Sequence, residues 1–318
     1  MKKNLTHKIA MLLAFAFLAI VPVQAGDATS AATTPVEMTV TVNTLGQNKR
    51  MPVINRDDVI VKQGDQRLEV TGWSPVSESG AGINLFILID DASNPVLGSQ
   101  FADLRAFIDA QSPETAVGVG YMRNGTVQIA QNPTTDHAKA AKALRLPLGS
   151  TGAYGNSYLS AIDLMNRWPD NSNRREVVMI TDGIDRFRGG PRYRGLNFIT
   201  PDVESASRVA QRTGTTISTI YTRGVGRLAN NFWEITNGQN GMAMLSDQTG
   251  GQSYHLGTRN TVSFKPYLDD IQKNLGNKYV LEFRAVPGAK AGLQYVRLST
   301  EVAGVELNSA DSVWVNAR

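Results

Sequence analysis

The sequence predicts an α/β fold: a doubly wound, mostly parallel sheet with one antiparallel edge hairpin, and a small β-sandwich beside it. Three observations lead to this prediction. Nearly continuous apolar runs, such as residues 83–89 (INLFILI), alternate with helical patterns in the middle of the chain, as in a sheet covered on both faces. Two other runs are joined through Asn124-Gly125, a strong hairpin signal. Short strands with alternating apolar residues occur on either side of this region.

The first 25 residues have the features of a signal peptide. Lys2 and Lys3 precede 13 apolar residues, 9–21, and a small-residue cleavage site ends at Ala25. A membrane-spanning helix needs about 20 apolar residues, so a retained anchor is the less favoured alternative. We therefore expect an exported protein, periplasmic or secreted, with no stable membrane span after cleavage.

The N-terminal flank after the signal peptide is predicted to supply one part of the β-sandwich. Residues 26–35 are small and polar and are expected to form a flexible lead-in. The segment 36–78 contains short strands, which need further strands to cover them. These strands are predicted at residues 36–42, 59–62 and 67–71.

The α/β domain is predicted over residues 79–276, where strand and helix patterns alternate. Its strands are predicted at residues 83–89, 116–121, 126–130, 176–181, 215–221 and 253–255. Its helices are predicted near residues 101–108, 135–145, 155–168, 203–212, 229–248 and 264–275.

The C-terminal flank, residues 277–318, returns to the strand pattern. Strands are predicted at residues 279–283, 295–299 and 312–315. Because both flanks are rich in strands, we expect them to pair into one sandwich with the α/β domain inserted between them.

Composition excludes several functional classes. The net charge is +4, but three of the 32 basic residues lie in the predicted signal peptide, which leaves 29 against 28 acidic residues. A nucleic-acid binder is therefore not indicated. The absence of cysteine excludes disulfides, thiol nucleophiles and cysteine-ligated metals. No nucleophile elbow, phosphate-binding loop or histidine cluster is present, so we expect a protein that is not an enzyme.

Two aspartates follow buried strands of the α/β domain. Asp90 ends one strand and Asp182 follows another, and ligands of doubly wound sheets bind at the carboxyl ends of strands where the strand order reverses. Carboxylates and nearby hydroxyls are hard oxygen ligands, which favour Mg²⁺ over zinc. The sequence therefore predicts that these side chains meet at one edge of the sheet.

Three segments resemble the metal-site segments of a von Willebrand factor A domain: residues 87–94 (ILIDDASN), 150–164 (STGAYGNSYLSAIDL) and 177–185 (VVMITDGID). The flanking segments 53–73 and 277–288 resemble those of a bacterial exported subgroup of such proteins. The resemblance covers essentially the whole mature chain. It implies a Rossmann-like α/β domain that binds other proteins, often through a metal ion completed by a carboxylate of the partner.

The resemblance assigns the metal-site positions to a degenerate set of residues. The family's first segment is Asp-x-Ser-x-Ser, but starting from Asp90 the two serine positions hold Ala92 and Asn94, and starting from Asp91 only Ser93 fits. Loss of oxygen ligands weakens Mg²⁺ binding, so we expect Mg²⁺ (or Mn²⁺ or Ca²⁺) at low occupancy. Alternatively, the aspartates are solvated residues that cap helices. The predicted metal-site residues are Asp90, Ser93, Asn94, Thr151 and Asp182.

The loop after Asp182 combines arginine with aromatic residues, a composition enriched at protein contact sites. It is predicted to grip an acidic group of a partner protein; the alternative is a solvated, flexible insertion. The predicted partner-binding residues are Arg186, Phe187, Arg188, Arg192, Tyr193 and Arg194.

These observations favour an exported, non-enzymatic protein-recognition or adhesion-type module. A structural or assembly protein of the envelope, with an inactive metal site, is the first alternative. A hydrolase or nucleotide enzyme on a doubly wound sheet is the second, and it is disfavoured because the required catalytic groups are absent from the sequence.

Overall fold

The computed structural model of the chain describes residues 33–46, 51–150, 155–168, 171, 173–187, 199–259 and 261–317. The predicted signal peptide, most of the lead-in, Thr151 and the loop residues 188–198 lie outside the described residues. The described residues all belong to one compact unit. Among the described helices, none combines the length and apolarity that crossing a bilayer requires.

The described residues form fifteen strands and six α-helices. The strands are β1 (Thr34–Thr44), β2 (Val59–Gln63), β3 (Gln66–Leu68), β4 (Val70–Pro75), β5 (Ile83–Asp90), β6 (Ala116–Arg123), β7 (Thr126–Thr134), β8 (Arg174–Thr181), β9 (Thr215–Tyr221), β10 (Ser253–Tyr254), β11 (Lys278–Ala285), β12 (Gly292–Tyr295), β13 (Arg297–Thr300), β14 (Val305–Ser309) and β15 (Ser312–Val315). The helices are α1 (Phe101–Asp109), α2 (His137–Lys142), α3 (Ser157–Arg167), α4 (Pro201–Thr213), α5 (Phe232–Gln248) and α6 (Lys265–Gly276).

The central sheet has six strands in the order β10-β9-β8-β5-β6-β7. Neighbouring strands are parallel except β6 and β7, which form an antiparallel hairpin at the edge. The hairpin turns at Asn124 and Gly125, whose φ angles of 54° and 71° lie in the left-handed region that this turn requires. The predicted fold class is therefore confirmed.

Helices cover both faces of the central sheet, which explains its nearly continuous apolar strands. On one face, α1, α2 and α6 pack on Leu85, Ile87 and Ile89 of β5. On the other face, α3, α4 and α5 pack on Phe86 and Leu88 of the same strand. Alternate residues of β5 thus contribute to two separate cores.

The two flanks pair with each other in a β-sandwich. One sheet has the order β14-β1-β11-β4, and the facing strands form the ladders β13-β2-β3 and β12-β15. Strand β1 comes from the N-terminal flank, and both its neighbours, β11 and β14, come from the C-terminal flank. A third apolar core, which includes Val40, Val61 and Phe283, fills the sandwich.

A buried ion pair connects the sandwich to the central sheet. Lys278 Nζ, on β11, lies 2.8 Å from Glu176 Oε1, on β8, and 3.1 Å from Thr41 Oγ1. Burial raises the pKa of Glu176, and the charge of Lys278 acts against that shift. Because both charged groups are buried, loss of either one would leave the other without compensation.

Two predicted strands of the flanks are divided in the structure, and one observed strand was not predicted. Residues 67–71 divide into β3 and β4, which pair with β2 and β11 respectively. Residues 295–299 likewise divide between β12 and β13. Strand β14 was not predicted because only its first residue, Val305, is buried. A chain that crosses from one sheet to another keeps its alternating pattern, so the crossings leave no clear signal in the sequence.

Candidate functional site

The predicted aspartates lie together at the C-terminal edge of the central sheet. Strands β5 and β8 are parallel neighbours with Ile89 opposite Ile180. Asp90 therefore lies level with Thr181, the residue that precedes Asp182. Strand β6 pairs with the other side of β5, which makes this the place where the strand order reverses. The edge is therefore where doubly wound sheets bind ligands.

Both carboxylate oxygens of Asp90 accept hydrogen bonds from the chain itself. Oδ1 accepts from the backbone N–H of Ala92 at 2.8 Å. Oδ2 accepts from Thr181 Oγ1 at 2.7 Å and from Ser157 Oγ at 2.9 Å. Burial, followed by the charge of Asp182, raises the pKa of Asp90, whereas the charge of Arg186 and the hydrogen bonds from Ala92 and Thr181 act to lower it.

Asp182 forms a two-point ion pair with Arg186. Arg186 Nη1 donates to Oδ1 at 3.0 Å, and Nη2 contacts Oδ2. Oδ1 also accepts from the N–H of Ile184 at 3.0 Å. The side chains of Arg186 and Asp182 are 6% and 1% exposed. Burial by itself lowers the pKa of Arg186, but the charges of Asp182 and Asp90 raise it by more.

Glycines allow the backbone to close around this pair. A side chain at Gly224 would overlap both Asp182 Oδ2 and the Arg186 guanidinium. Gly183 has a φ of 68° and packs against Gly238 of α5. Tyr158 Oη donates to the carbonyl of Gly183 at 3.1 Å, and burial raises the pKa of this hydroxyl, which therefore stays protonated. The loop that follows β8 is thus in close contact with Gly224, Gly238 and Tyr158.

The second aspartate of the first segment, Asp91, is also paired with an arginine. Arg145 Nη1 and Nη2 lie 2.7 Å and 3.0 Å from Asp91 Oδ1 and Oδ2. The guanidinium of Arg145 stacks over the Tyr121 ring at 3.6 Å from its centroid. The Asp91 side chain is 1% exposed. Whichever aspartate begins the first segment, Asp90 or Asp91, its carboxylate oxygens already accept hydrogen bonds from other residues of the chain.

Ser93 and Asn94 lie beside this site but make different contacts. Asn94 Oδ1 accepts from the N–H of Val96 at 3.0 Å and caps the 3-10 turn Pro95–Gln100. Ser93 is 1% exposed, and its hydroxyl has no hydrogen-bond partner among the described residues. The Ser93 hydroxyl is thus buried without a hydrogen-bond partner among the described residues, whereas the Asn94 carbonyl oxygen is used for capping.

These residues do not fit a divalent metal ion. The described residues contain no group of three or more acidic or histidine side chains with a metal-binding arrangement. The Asp182 oxygens, which the resemblance assigns to the metal, contact a guanidinium instead. Mg²⁺ requires about six oxygen ligands in near-ideal geometry, and each oxygen of Asp90 and Asp182 already accepts from the protein. Metal binding thus remains a prediction that these contacts disfavour.

The arginine-rich loop is described only at its start. Phe187 is 47% exposed, as expected of a contact residue. Arg186 is buried and contacts Asp182, which disfavours its predicted role of gripping a partner; that role stays a prediction. Arg188, Arg192, Tyr193 and Arg194 lie outside the described residues.

The sheet order, the single antiparallel hairpin and the aspartates at the switch point agree with the resemblance found in the sequence. The topology of the α/β part is therefore similar to that of a von Willebrand factor A domain. Solved structures similar to this chain include several such domains.

Three of these structures illustrate the similarity. A von Willebrand factor type A protein from Catenulispora acidiphila is 11% identical, with a TM-score of 0.42, over 91% of this chain and 75% of that chain. An aerotolerance-related membrane protein from Bacteroides fragilis is 13% identical, with a TM-score of 0.43, over 61% and 98%. The VWA2 paralog of ArnB from Sulfolobus acidocaldarius is 11% identical, with a TM-score of 0.36, over 90% and 76%. No family model and no curated protein matches the sequence.

Several residues of the site were not predicted. Ser157 and Thr181 supply the hydroxyls that reach Asp90, and Arg145 supplies the cation beside Asp91. Asn156 caps α3 by accepting from the N–H groups of Tyr158 and Leu159, so the start of this helix places Ser157 beside Asp90. An asparagine directly before an apolar helical pattern is a recognisable start signal. No such signal marks Arg145.

The same edge of the sheet exposes many apolar side chains. The described residues include thirteen large apolar side chains that are exposed, and eight of them lie in segments at this edge. They follow β5, β8, β9 or β10, or precede α3. We call these eight residues the apolar rim: Val96, Leu146, Leu148, Phe187, Phe232, Trp233, Leu256 and Val262.

Proposed function

We propose that this chain is an exported protein-recognition module, without enzymatic activity, that binds a partner protein at the C-terminal edge of its central sheet. The observation that carries the proposal is the apolar rim. Eight of the thirteen exposed large apolar side chains among the described residues belong to segments at this edge, which also carries Asp90, Asp182 and Arg186. Clustered apolar exposure on a folded protein indicates an interaction site.

The aromatic residues of the rim are suited to protein contact. Phe232 and Trp233 begin α5, are 60% and 46% exposed, and pack edge to face with ring centroids 5.2 Å apart. Tryptophan and other aromatic side chains are enriched where binding energy is concentrated in interfaces. Asn231 caps the start of α5 by accepting from the N–H groups of Trp233 and Glu234, so the backbone that carries these rings is held in place.

The proposed partner is a protein that presents apolar side chains to the rim and a carboxylate to the arginines. Arg188, Arg192 and Arg194 follow Phe187 in the sequence. Arginine binds carboxylates through two parallel hydrogen bonds, which adds direction to an otherwise apolar contact. An assembly role through other surfaces would leave this edge uninvolved.

Site-specific photocrosslinking in the native cell envelope tests the proposed surface. A photoreactive residue at Phe232 or Phe187 is expected to capture the same protein. Tyr295, which is 55% exposed on β12 of the sandwich, is the matched control position. Equal capture from Tyr295, or none from either rim position, would contradict the proposal.

Export is tested separately by the mass of the mature protein. Cleavage after Ala25 predicts a chain that begins at Gly26 and is recovered from the periplasmic or secreted fraction. A cytoplasmic protein that retains residues 1–25 would contradict export.

A further inference from the structure

The Asp182–Arg186 pair supplies a positive charge at the position where the resemblance implies a metal ion. We infer that the Arg186 guanidinium is the resident cation of this edge and replaces the divalent metal that the resemblance implies. Arg186 contacts both oxygens of Asp182 and is almost fully buried with it. The positive charge beside the two carboxylates is therefore supplied by the chain.

The space around the pair is shaped for a guanidinium. Gly224 lies so close to Arg186 and Asp182 that any side chain there would overlap both. Arg186 Nη2 also lies 3.4 Å from the carbonyl oxygen of Val225, which follows Gly224. A planar group with several donors can contact a carboxylate and a carbonyl at once. The loop 182–186 and the segment at Gly224 thus enclose the cation from two sides.

Each of the two carboxylates accepts three hydrogen bonds from the chain, out of about four acceptor positions. Asp182 accepts from Ile184, and Asp90 accepts from Ala92, Thr181 and Ser157. A metal ion would have to displace Arg186 and leave its buried charge without a partner. Uncompensated burial of a charge is costly, so metal binding at Asp182 is strongly opposed.

The pair also positions part of the apolar rim. Phe187 follows Arg186 directly, and its N–H donates to Asp185 Oδ1 at 3.0 Å. Contacts within the chain, the ion pair among them, therefore hold the start of the arginine-rich loop. If the proposed function is correct, partner binding at this edge needs no divalent cation.

Manganese titration of the mature full-length chain tests the inference directly. Free Mn²⁺ is followed by electron paramagnetic resonance, and the melting temperature Tm is measured with Mg²⁺, Mn²⁺, Ca²⁺ or EDTA. We expect no stoichiometric Mn²⁺ binding and the same Tm in all four conditions. One Mn²⁺ bound per chain in the wild type, lost in Asp182→Asn, would overturn the inference. Neither measurement involves a partner, so the result is independent of the proposed function.

Arginine variants test the role of the guanidinium itself. Arg186→Ala is expected to lower Tm by about 10 °C, because Asp182 becomes a buried charge without a partner. Methylguanidinium at millimolar concentration should raise the Tm of Arg186→Ala but not that of Arg208→Ala, whose side chain is 67% exposed in the wild type. A wild-type Tm for Arg186→Ala would overturn the inference. If this variant does not fold, the wild-type Mn²⁺ titration decides the question.

Discussion

Arg186 and Asp182 are joined by two side-chain contacts, and their side chains are only 6% and 1% exposed. The two residues are four apart but lie in a loop after β8, not in a helix. The contact therefore reflects a loop that folds back on its own strand end. Arg186 acts as an internal cation beside the aspartates.

A double-mutant cycle measures the strength of this pair. Asp182→Asn and Arg186→Met are each expected to reduce the free energy of unfolding by about 3–5 kcal/mol, because each leaves one buried charge. The double variant should lose clearly less than the sum of the two, as expected of residues in direct contact. Urea denaturation provides the measurement.

The pair Glu204–Arg208 is the control for this cycle. It has the same spacing on α4, but its side chains are 57% and 67% exposed. The coupling there is expected to stay below about 0.5 kcal/mol. A coupling at Asp182–Arg186 as small as this surface value would refute the buried-pair account.

Gly224→Ala tests the close approach of the backbone to the pair. The added methyl group would overlap Asp182 Oδ2 and the Arg186 guanidinium, so the loop must move or the pair must open. We expect a loss of about 1–3 kcal/mol in the free energy of unfolding. Gly276→Ala, where the methyl group meets open space at the end of α6, should leave stability unchanged or slightly increased. Equal behaviour of the two variants would show that the space at Gly224 is not restricted.

Asp311 is expected to make stability depend on pH. Partial burial, and then the nearby charge of Asp247, raise the pKa of Asp311 in the folded protein. Because the pKa of Asp311 is higher in the folded than in the unfolded protein, protonation of Asp311 stabilises the fold. This stabilisation is complete below the unfolded pKa and is lost as the pH rises through the folded pKa. Asp311→Asn should therefore stabilise the protein at neutral pH.

The gain from Asp311→Asn should disappear below the ordinary aspartate range, about pH 4, where the wild-type carboxyl group is protonated in both states. Asp65→Asn, at an exposed position in the turn between β2 and β3, is the control substitution of the same type. Thermal melts of the variants across pH 3–8 provide the comparison. A gain for Asp311→Asn that is equally large at both ends of this range would argue against the electrostatic cause.

Most of the fold could be predicted from the sequence because its elements have clear periodic patterns. Strand β5 is apolar on both faces since helices cover both, and Asn124-Gly125 identifies the hairpin. The flanks were harder because the chain crosses between sheets at Glu69 and Val296 without interrupting its alternation. Pattern alone does not distinguish one strand from two that belong to different sheets.

The site was predicted in position but not in its contacts. The sequence could predict that Asp90 and Asp182 lie together, because their proximity depends only on two parallel strands that end at the same edge of the sheet. The pairing of Arg186 with Asp182 depends on how a loop folds back, and no local signal specifies that. Ser157 was detectable as part of a helix start, whereas Arg145 reaches Asp91 across 54 residues of sequence.

Partner binding is expected to be independent of divalent cations. The cation beside Asp182 is Arg186, so capture of the partner by the mature chain should be equal in EDTA and in Mg²⁺. The check is the dissociation constant under both conditions at constant ionic strength, since salt alone changes charged contacts. Tighter binding in Mg²⁺ that is abolished by Asp182→Asn would point to a metal-dependent contact instead.

The most direct test of the recognition surface compares two tryptophans. Trp233, in the apolar rim, and Trp314, on β15 of the sandwich, are 46% and 40% exposed, so they differ mainly in location. With the crosslinked partner identified, Trp233→Ser should weaken binding by about 30-fold, corresponding to a loss of about 2 kcal/mol at an interface hot spot. Trp314→Ser should change the dissociation constant by less than about twofold, within the range of a residue outside the interface. Unchanged binding by Trp233→Ser, or a larger loss with Trp314→Ser, would contradict recognition at this edge.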